Sequence, residues 1–192
     1  MRMSLFSLLA VAAATAMTAG AAQAAPYAID PTHTFVTFEI GHFGATTNRG
    51  RFDKKQGTVN FDRAAKTGKV DISFDATSIN TGTPTFDKHL QSAELFDAAK
   101  HPTIKFVSDK FTFSGDKVSE VSGQLTLLGK TAPVTLKSTQ FACYDSPMLK
   151  REVCGGDFET TIDRTQWGMN YGVEWGFPKN VRLVIQIEAV KQ

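Results

Sequence analysis

The chain has 192 residues, 15 of them Phe, and a formal net charge of +2. A near-neutral balance without a basic cluster argues against nucleic acid, or an anionic membrane surface, as the main partner. The length suits one domain with a sizeable core that needs no structural metal.

Residues 1–24 read as a secretory signal: Arg2 is a short positive start, Leu5 to Met17 an apolar stretch, and Ala22-Gln23-Ala24 a small-x-small cleavage pattern. The apolar stretch is short and Ala-rich for a membrane span. The expected mature domain is therefore 25–192, exported and without stable membrane insertion.

Period-two alternation dominates that domain. Val36, Phe38 and Ile40 alternate with polar neighbours, as do Val59 with Phe61, and Val70, Ile72, Phe74 and Ala76 with Asp71, Ser73 and Asp75. These predict strands near 33–41, 50–61 and 69–78. Further strands are expected at 103–114, 117–128, 131–142, 156–163 and 181–190. Lys66-Thr67-Gly68, Ser114-Gly115-Asp116 and Gly129-Lys130-Thr131 sit where hairpins would close. Eight strands with short connections imply an antiparallel up-and-down barrel or a sandwich.

One stretch departs from this period. Across 84–99, Phe86, Leu90 and Ala93 fall at helical spacing, Leu95 and Phe96 extend the stripe, Thr85 is the expected N-cap and Pro102 the stop. The chain is thus predicted to be all-β with one amphipathic helix between strands three and four. That helix, and the cysteine pair, argue against an outer-membrane barrel, in which the apolar face would point outward. Cys143 and Cys154, at short spacing in an exported chain, read as a disulfide across a turn, worth roughly 3 kcal/mol in the chain-entropy model.

The motifs, taken in order, resemble the YceI-like proteins. They begin with Tyr27-x-Ile29-Asp30-Pro31-x-His33, Phe38-x-x-x-His42-x-Gly44, Gly50-x-Phe52 and Gly57-x-Val59-x-Phe61. Asp87-x-His89-Leu90, Glu94-Leu95-Phe96-Asp97 and Pro102-Thr103-Ile104-x-Phe106 follow. The run closes with Gly123-x-Leu125-Thr126-Leu127-x-Gly129-x-Thr131-x-Pro133-Val134 and Asp163-Arg164-x-x-x-Gly168-Met169. Each piece is weak alone; in unbroken order over the whole mature chain they are specific. The resemblance implies a lipocalin-like eight-stranded antiparallel barrel in the periplasm. It also implies binding of a polyisoprenoid, isoprenoid quinone or related long-chain lipid, with no cofactor. Homodimers occur in the family, so monomer and dimer both stay open. Thr34 stands where Ser is common, and the cysteine-flanked insertion belongs to only part of the family.

In such a carrier the expected wall is Val36, Phe38, Ile40, Phe61, Ile72, Phe74, Phe106, Leu125, Leu127, Leu136, Leu183 and Ile185. Phe86, Leu90 and Phe96 would cover the mouth. His42, His89 and Arg164 are candidate head-group partners, with pairing of Arg164 to Asp163 or a backbone carbonyl as the alternative. Trp167 and Trp175 would stack on a ring or anchor their Gly-rich loop.

Three rival readings follow from the same residues. A barrel of eight strands can be filled by its own side chains and act as an interaction protein. A hydrolase lacks a recognisable nucleophile elbow in this sequence. A metal protein lacks paired histidine spacing among His33, His42, His89 and His101.

Overall fold

The computed structural model describes residues 24–192. The expected leader lies outside them, apart from Ala24. In chain order the strands are β1 Ala25–Ile29, β2 Phe35–His42, β3 Thr46–Phe52, β4 Lys55–Asp62, β5 Thr67–Asp75 and β6 Ile79–Asn80. The helix α1, Pro84–Leu90, comes next. It is followed by β7 Thr103–Ser114, β8 Lys117–Leu127, β9 Lys130–Asp145, β10 Glu152–Asp163 and β11 Asn180–Lys191.

Eight antiparallel ladders close into a barrel. β1–β2, β3–β4 and β5–β6 are three long strands, each broken in two. β7 to β10 each pair with their chain neighbours, and β11 returns to both β1 and β2. Closure through β11 leaves the two-residue β6, paired only with β3, as the one strand end without a second neighbour among the described residues, so little edge is left to invite aggregation. The helix expected between strands three and four therefore follows the sixth strand segment, because the first three long strands are interrupted.

The three breaks lie side by side and have local causes. At the first, Pro31 removes a backbone donor, and Asp30 Oδ1 accepts from the amide and hydroxyl of Thr32 at 2.8 and 2.6 Å. The buried Thr34 hydroxyl then stands in for the ladder, donating to Glu188 O and accepting from Glu188 N at 3.2 and 3.3 Å. At the second, Lys54 N donates to Ser78 Oγ. At the third, Asp75 caps a 3-10 turn by accepting from Thr77 N at 2.9 Å. Together the breaks interrupt three neighbouring strands.

The helix is shorter than its apolar stripe. Thr83, not Thr85, is the N-cap, and Pro84 occupies the first turn, where its missing amide costs nothing. After Gln91 the chain folds back, Phe96 N donating to Leu90 O at 3.0 Å, with Asp97 in the left-handed region at φ 41°. Helical hydrogen bonding ends there, yet Leu95 and Phe96 still turn inward.

The cysteine pair also differs from expectation. Cys143 and Cys154 are bonded to each other, but they face one another on the β9–β10 ladder, with Cα atoms 4.0 Å apart. Tyr144, Asp145, Glu152 and Val153 are paired strand residues, so the turn itself is only 146–151.

Candidate ligand cavity

Inward-facing residues leave a cavity of about 430 Å³ along the barrel axis. Its far end is aromatic. Tyr27 and Phe61 meet edge-on at 6.3 Å, Phe61 stacks on Phe113 at 6.0 Å, and Phe141 lies 5.6 Å from Phe61. The Tyr27 hydroxyl leaves the apolar zone by donating to Glu152 Oε1 at 2.6 Å. Burial and that carboxylate both push the Tyr27 phenol above its ordinary range, while the bond from Tyr27 holds Glu152 below its own. Cys154 lines this end too.

The middle is walled by Phe rings that lie over glycines. A Cβ on Gly50 would collide with the Phe38 ring, and one on Gly123 with the Phe106 ring and the Val107 carbonyl. The bare backbone lets these large rings sit flat against neighbouring strands and leaves the axis open. Phe38, Phe52 and Phe96 form a connected set, with centroids 5.4 to 6.5 Å apart.

At the opposite rim the wall becomes polar and reaches solvent. His42 on β2, Asn48 on β3, His89 on α1 and Tyr171 in the β10–β11 loop all line the cavity and are half-buried. His42 packs edge-on against Phe43 and Phe177, and His89 against Tyr171. Arg164 also lines the cavity, yet it is only 3% exposed. Its Nε, Nη1 and Nη2 donate to the carbonyls of Pro178, Met169 and Tyr171 at 3.0, 3.0 and 2.9 Å. Burial lowers its basicity and the neighbouring Asp163 charge offsets part of that. The guanidinium is thus the hub that folds the 164–179 loop over the rim, the carbonyl alternative of the two readings.

The expected wall residues from Val36 to Ile185 all face this cavity, as do Phe86, Leu90, Phe96, His42 and His89. The two tryptophans do not. Trp167 is 1% exposed and donates from Nε1 to Leu125 O at 2.9 Å, outside the cavity. Trp175 lies on the surface against Tyr171, 5.3 Å between ring centres. Short sequence distance to Gly168 and Gly172 does not fix which way a loop side chain points. Among the wall residues that alternation failed to mark are Tyr27, Asn48, Phe111, Phe141 and Phe158.

The sequence comparison decides the family. Residues 27–189 match the YceI-like domain. The chain belongs to the YceI-like domain family. Protein YceI of Escherichia coli O157:H7 is 35% identical over 191 residues, covering 97% of this chain and 98% of that one. Among solved structures, BcnA of Burkholderia cenocepacia superposes with a TM-score of 0.69 at 21% identity, over 83% of this chain and 98% of the other. A polyisoprenoid binding domain from Saccharophagus degradans gives 0.64 at 16% identity, over 86% and 98%. At these identities the two structures establish a shared fold and nothing further.

Proposed function

We propose that this YceI-like barrel is an exported, periplasmic carrier that holds a polyisoprenoid, an isoprenoid quinone or a similar long-chain amphiphile without changing it chemically. The observation that carries this is the axial cavity of about 430 Å³ with an almost wholly apolar wall. A barrel that filled its own interior would leave no such space, which disfavours the solid-barrel alternative. The structural neighbour described as a polyisoprenoid binding domain supports the same ligand class. Export rests on the leader read in residues 1–24.

A prenyl tail needs contact area and few polar partners. At about 0.8 kcal/mol per buried methylene-sized group, ten such groups contribute roughly 8 kcal/mol before association costs are subtracted. That is enough to make burial the main driving force.

The test is titration of the mature protein with N-phenyl-1-naphthylamine, an uncharged apolar fluorophore. Saturable uptake near one per chain, displaced by geranylgeraniol, is expected. Val36→Trp, which fills the cavity from β2, should weaken uptake at least tenfold while the β circular-dichroism signal is retained. Absence of saturable uptake by the unmodified protein would contradict the carrier reading.

A further inference from the structure

The strand break at Asp30 gathers three metal-ligating side chains that the cavity does not use. Asp30, His33 and Glu188 lie outside the cavity wall, whereas Ile187 and Ala189, on either side of Glu188, belong to it. His33 Nδ1 lies 2.7 Å from Asp30 Oδ2 and 4.0 Å from Glu188 Oε2. One ligand atom from each of the three residues falls within 4.8 Å of the others. Atoms bound tetrahedrally to a metal at about 2.0–2.2 Å sit about 3.4 Å apart, so small side-chain rotations would centre a cation among them.

The backbone fixes the three in register. Asp30 N donates to Glu188 O at 2.8 Å, the Thr34 hydroxyl bonds both the carbonyl and the amide of Glu188, and Gln186 Nε2 donates to His33 O. Outer contacts orient the ligands, as they do in metal sites generally. Thr32 donates twice to Asp30 Oδ1, which leaves Oδ2 facing the site, and the Tyr144 hydroxyl donates to Glu188 Oε2 at 3.1 Å. Among the described residues His33 Nε2 makes no hydrogen bond, so it can carry the ring proton and leave the Nδ1 lone pair to a metal. The charge is also uncompensated. Glu39 and Glu152 each pair with two basic side chains, but among the described residues neither Asp30 nor Glu188 is ion-paired with a Lys or Arg. Lys55 acts on Asp30 only from beyond ion-pair distance, its ammonium lying 4.1 Å over the Phe35 ring. Two carboxylates facing one imidazole make a spot of negative potential that a divalent cation neutralises.

We propose that Asp30 Oδ2, His33 Nδ1 and Glu188 Oε2 form a binding site for a divalent transition cation of the Zn²⁺ class. One imidazole with two carboxylates is a donor set for Zn²⁺ rather than for Ca²⁺ or Mg²⁺, which take oxygen ligands. Three protein ligands leave a fourth position to water, and the His33 side chain is 60% exposed, so the site is open and its cation exchangeable. The bound cation ties the break between β1 and β2 to β11, the strand that closes the barrel. Histidine spacing could not reveal this site, because the set holds a single histidine and its third ligand lies at the far end of the chain. It stands apart from the cavity and does not depend on the carrier reading.

The experiment is calorimetric titration of the mature, tag-free protein, stripped with EDTA and dialysed, with zinc chloride at neutral pH. One Zn²⁺ per chain with micromolar affinity is expected, and a large excess of Ca²⁺ should not displace it. His33→Ala and Glu188→Gln should each weaken binding at least tenfold, while His101→Ala leaves it unchanged. Glu188→Gln is the variant that keeps the fold, because Asp30 and Thr34 bond the Glu188 backbone and not its side chain. Cobalt chloride gives a second readout: visible absorption bands from nitrogen and oxygen ligation should appear in the unmodified protein and be lost in both variants. Absence of saturable Zn²⁺ binding, or binding that persists undiminished in Glu188→Gln, overturns the site. Displacement by Ca²⁺ overturns its assignment to a transition cation.

Discussion

Asp30 sits where the first long strand breaks, and its carboxylate organises that break. Burial alone would raise its pKa, but hydrogen bonds from the Thr32 hydroxyl and amide and from His33 Nδ1, at 2.7 Å, outweigh burial and bring it down to about 2. A lowered carboxyl pKa means that the ionised form is the one the fold prefers. Its contribution is fully present above the ordinary value of 3.8 and is lost as pH falls through about 2. With the side chain 19% exposed, that contribution is about 2 kcal/mol. Asp30→Asn should therefore destabilise the protein by up to that amount at neutral pH and flatten the stability profile between about pH 4 and pH 2. Urea denaturation across that range checks it; an unchanged slope would mean that the Asp30 network does not support the fold. His33 carries the opposite sign. Its bond to Asp30 raises its pKa, so its stabilising effect is present at low pH and fades as pH rises through the raised value. The Asp30-Pro31-x-His33 signature was plain in the sequence, but its role as a strand break was not, because the partner group is Glu188 at the far end of the chain.

At the scale of elements, alternation read correctly wherever a strand was regular. Ile72 and Phe74 on β5, and Leu183 and Ile185 on β11, face inward as their period predicts. It failed where a bulge reverses the phase. On β7 the register slips between Val107 and Lys110, with Ser108 Oγ donating to Ser122 O at 2.6 Å, so Phe106 and Phe111 face the same cavity at odd spacing. On β9 the pairing skips Thr139, which brings Leu136 and Phe141 to one face. β3 was read only at its end, from residue 50 on, for a different reason. Two of its inward positions, Asn48 and Gly50, are polar or bare, which leaves Phe52 as its one apolar inward signal. Those glycines make a direct prediction. Gly50→Ala meets the movable Phe38 ring and should push it into the axis, reducing dye capacity with a stability loss of about 1 kcal/mol. Gly123→Ala meets the backbone carbonyl of Val107, which has nowhere to go, and should cost about 2–3 kcal/mol. Thermal unfolding and dye titration of the two variants separate these outcomes. Equal stability losses would mean that the ring and the carbonyl resist alike.

At the scale of the molecule, the closed eight-ladder barrel and its apolar interior were legible from strand count, short connections and the ordered family motifs. The extent of the cavity was not. Whether large inward rings fill a barrel or line one depends on the glycines across the ladder, and on a loop such as 164–179 being held over the rim by Arg164. These are pairings between distant parts of the chain. What the barrel presents as a whole is a one-ended container, closed by aromatic rings and a disulfide-braced ladder at one end and open through polar groups at the other. The measurement that tests its use most directly is organic extraction and mass spectrometry of the protein exported in its native host and purified without detergent. A near-stoichiometric prenyl lipid or similar long-chain amphiphile is the expected result. A protein that emerges empty, and stays empty when incubated with prenyl alcohols and quinones, would contradict the carrier function.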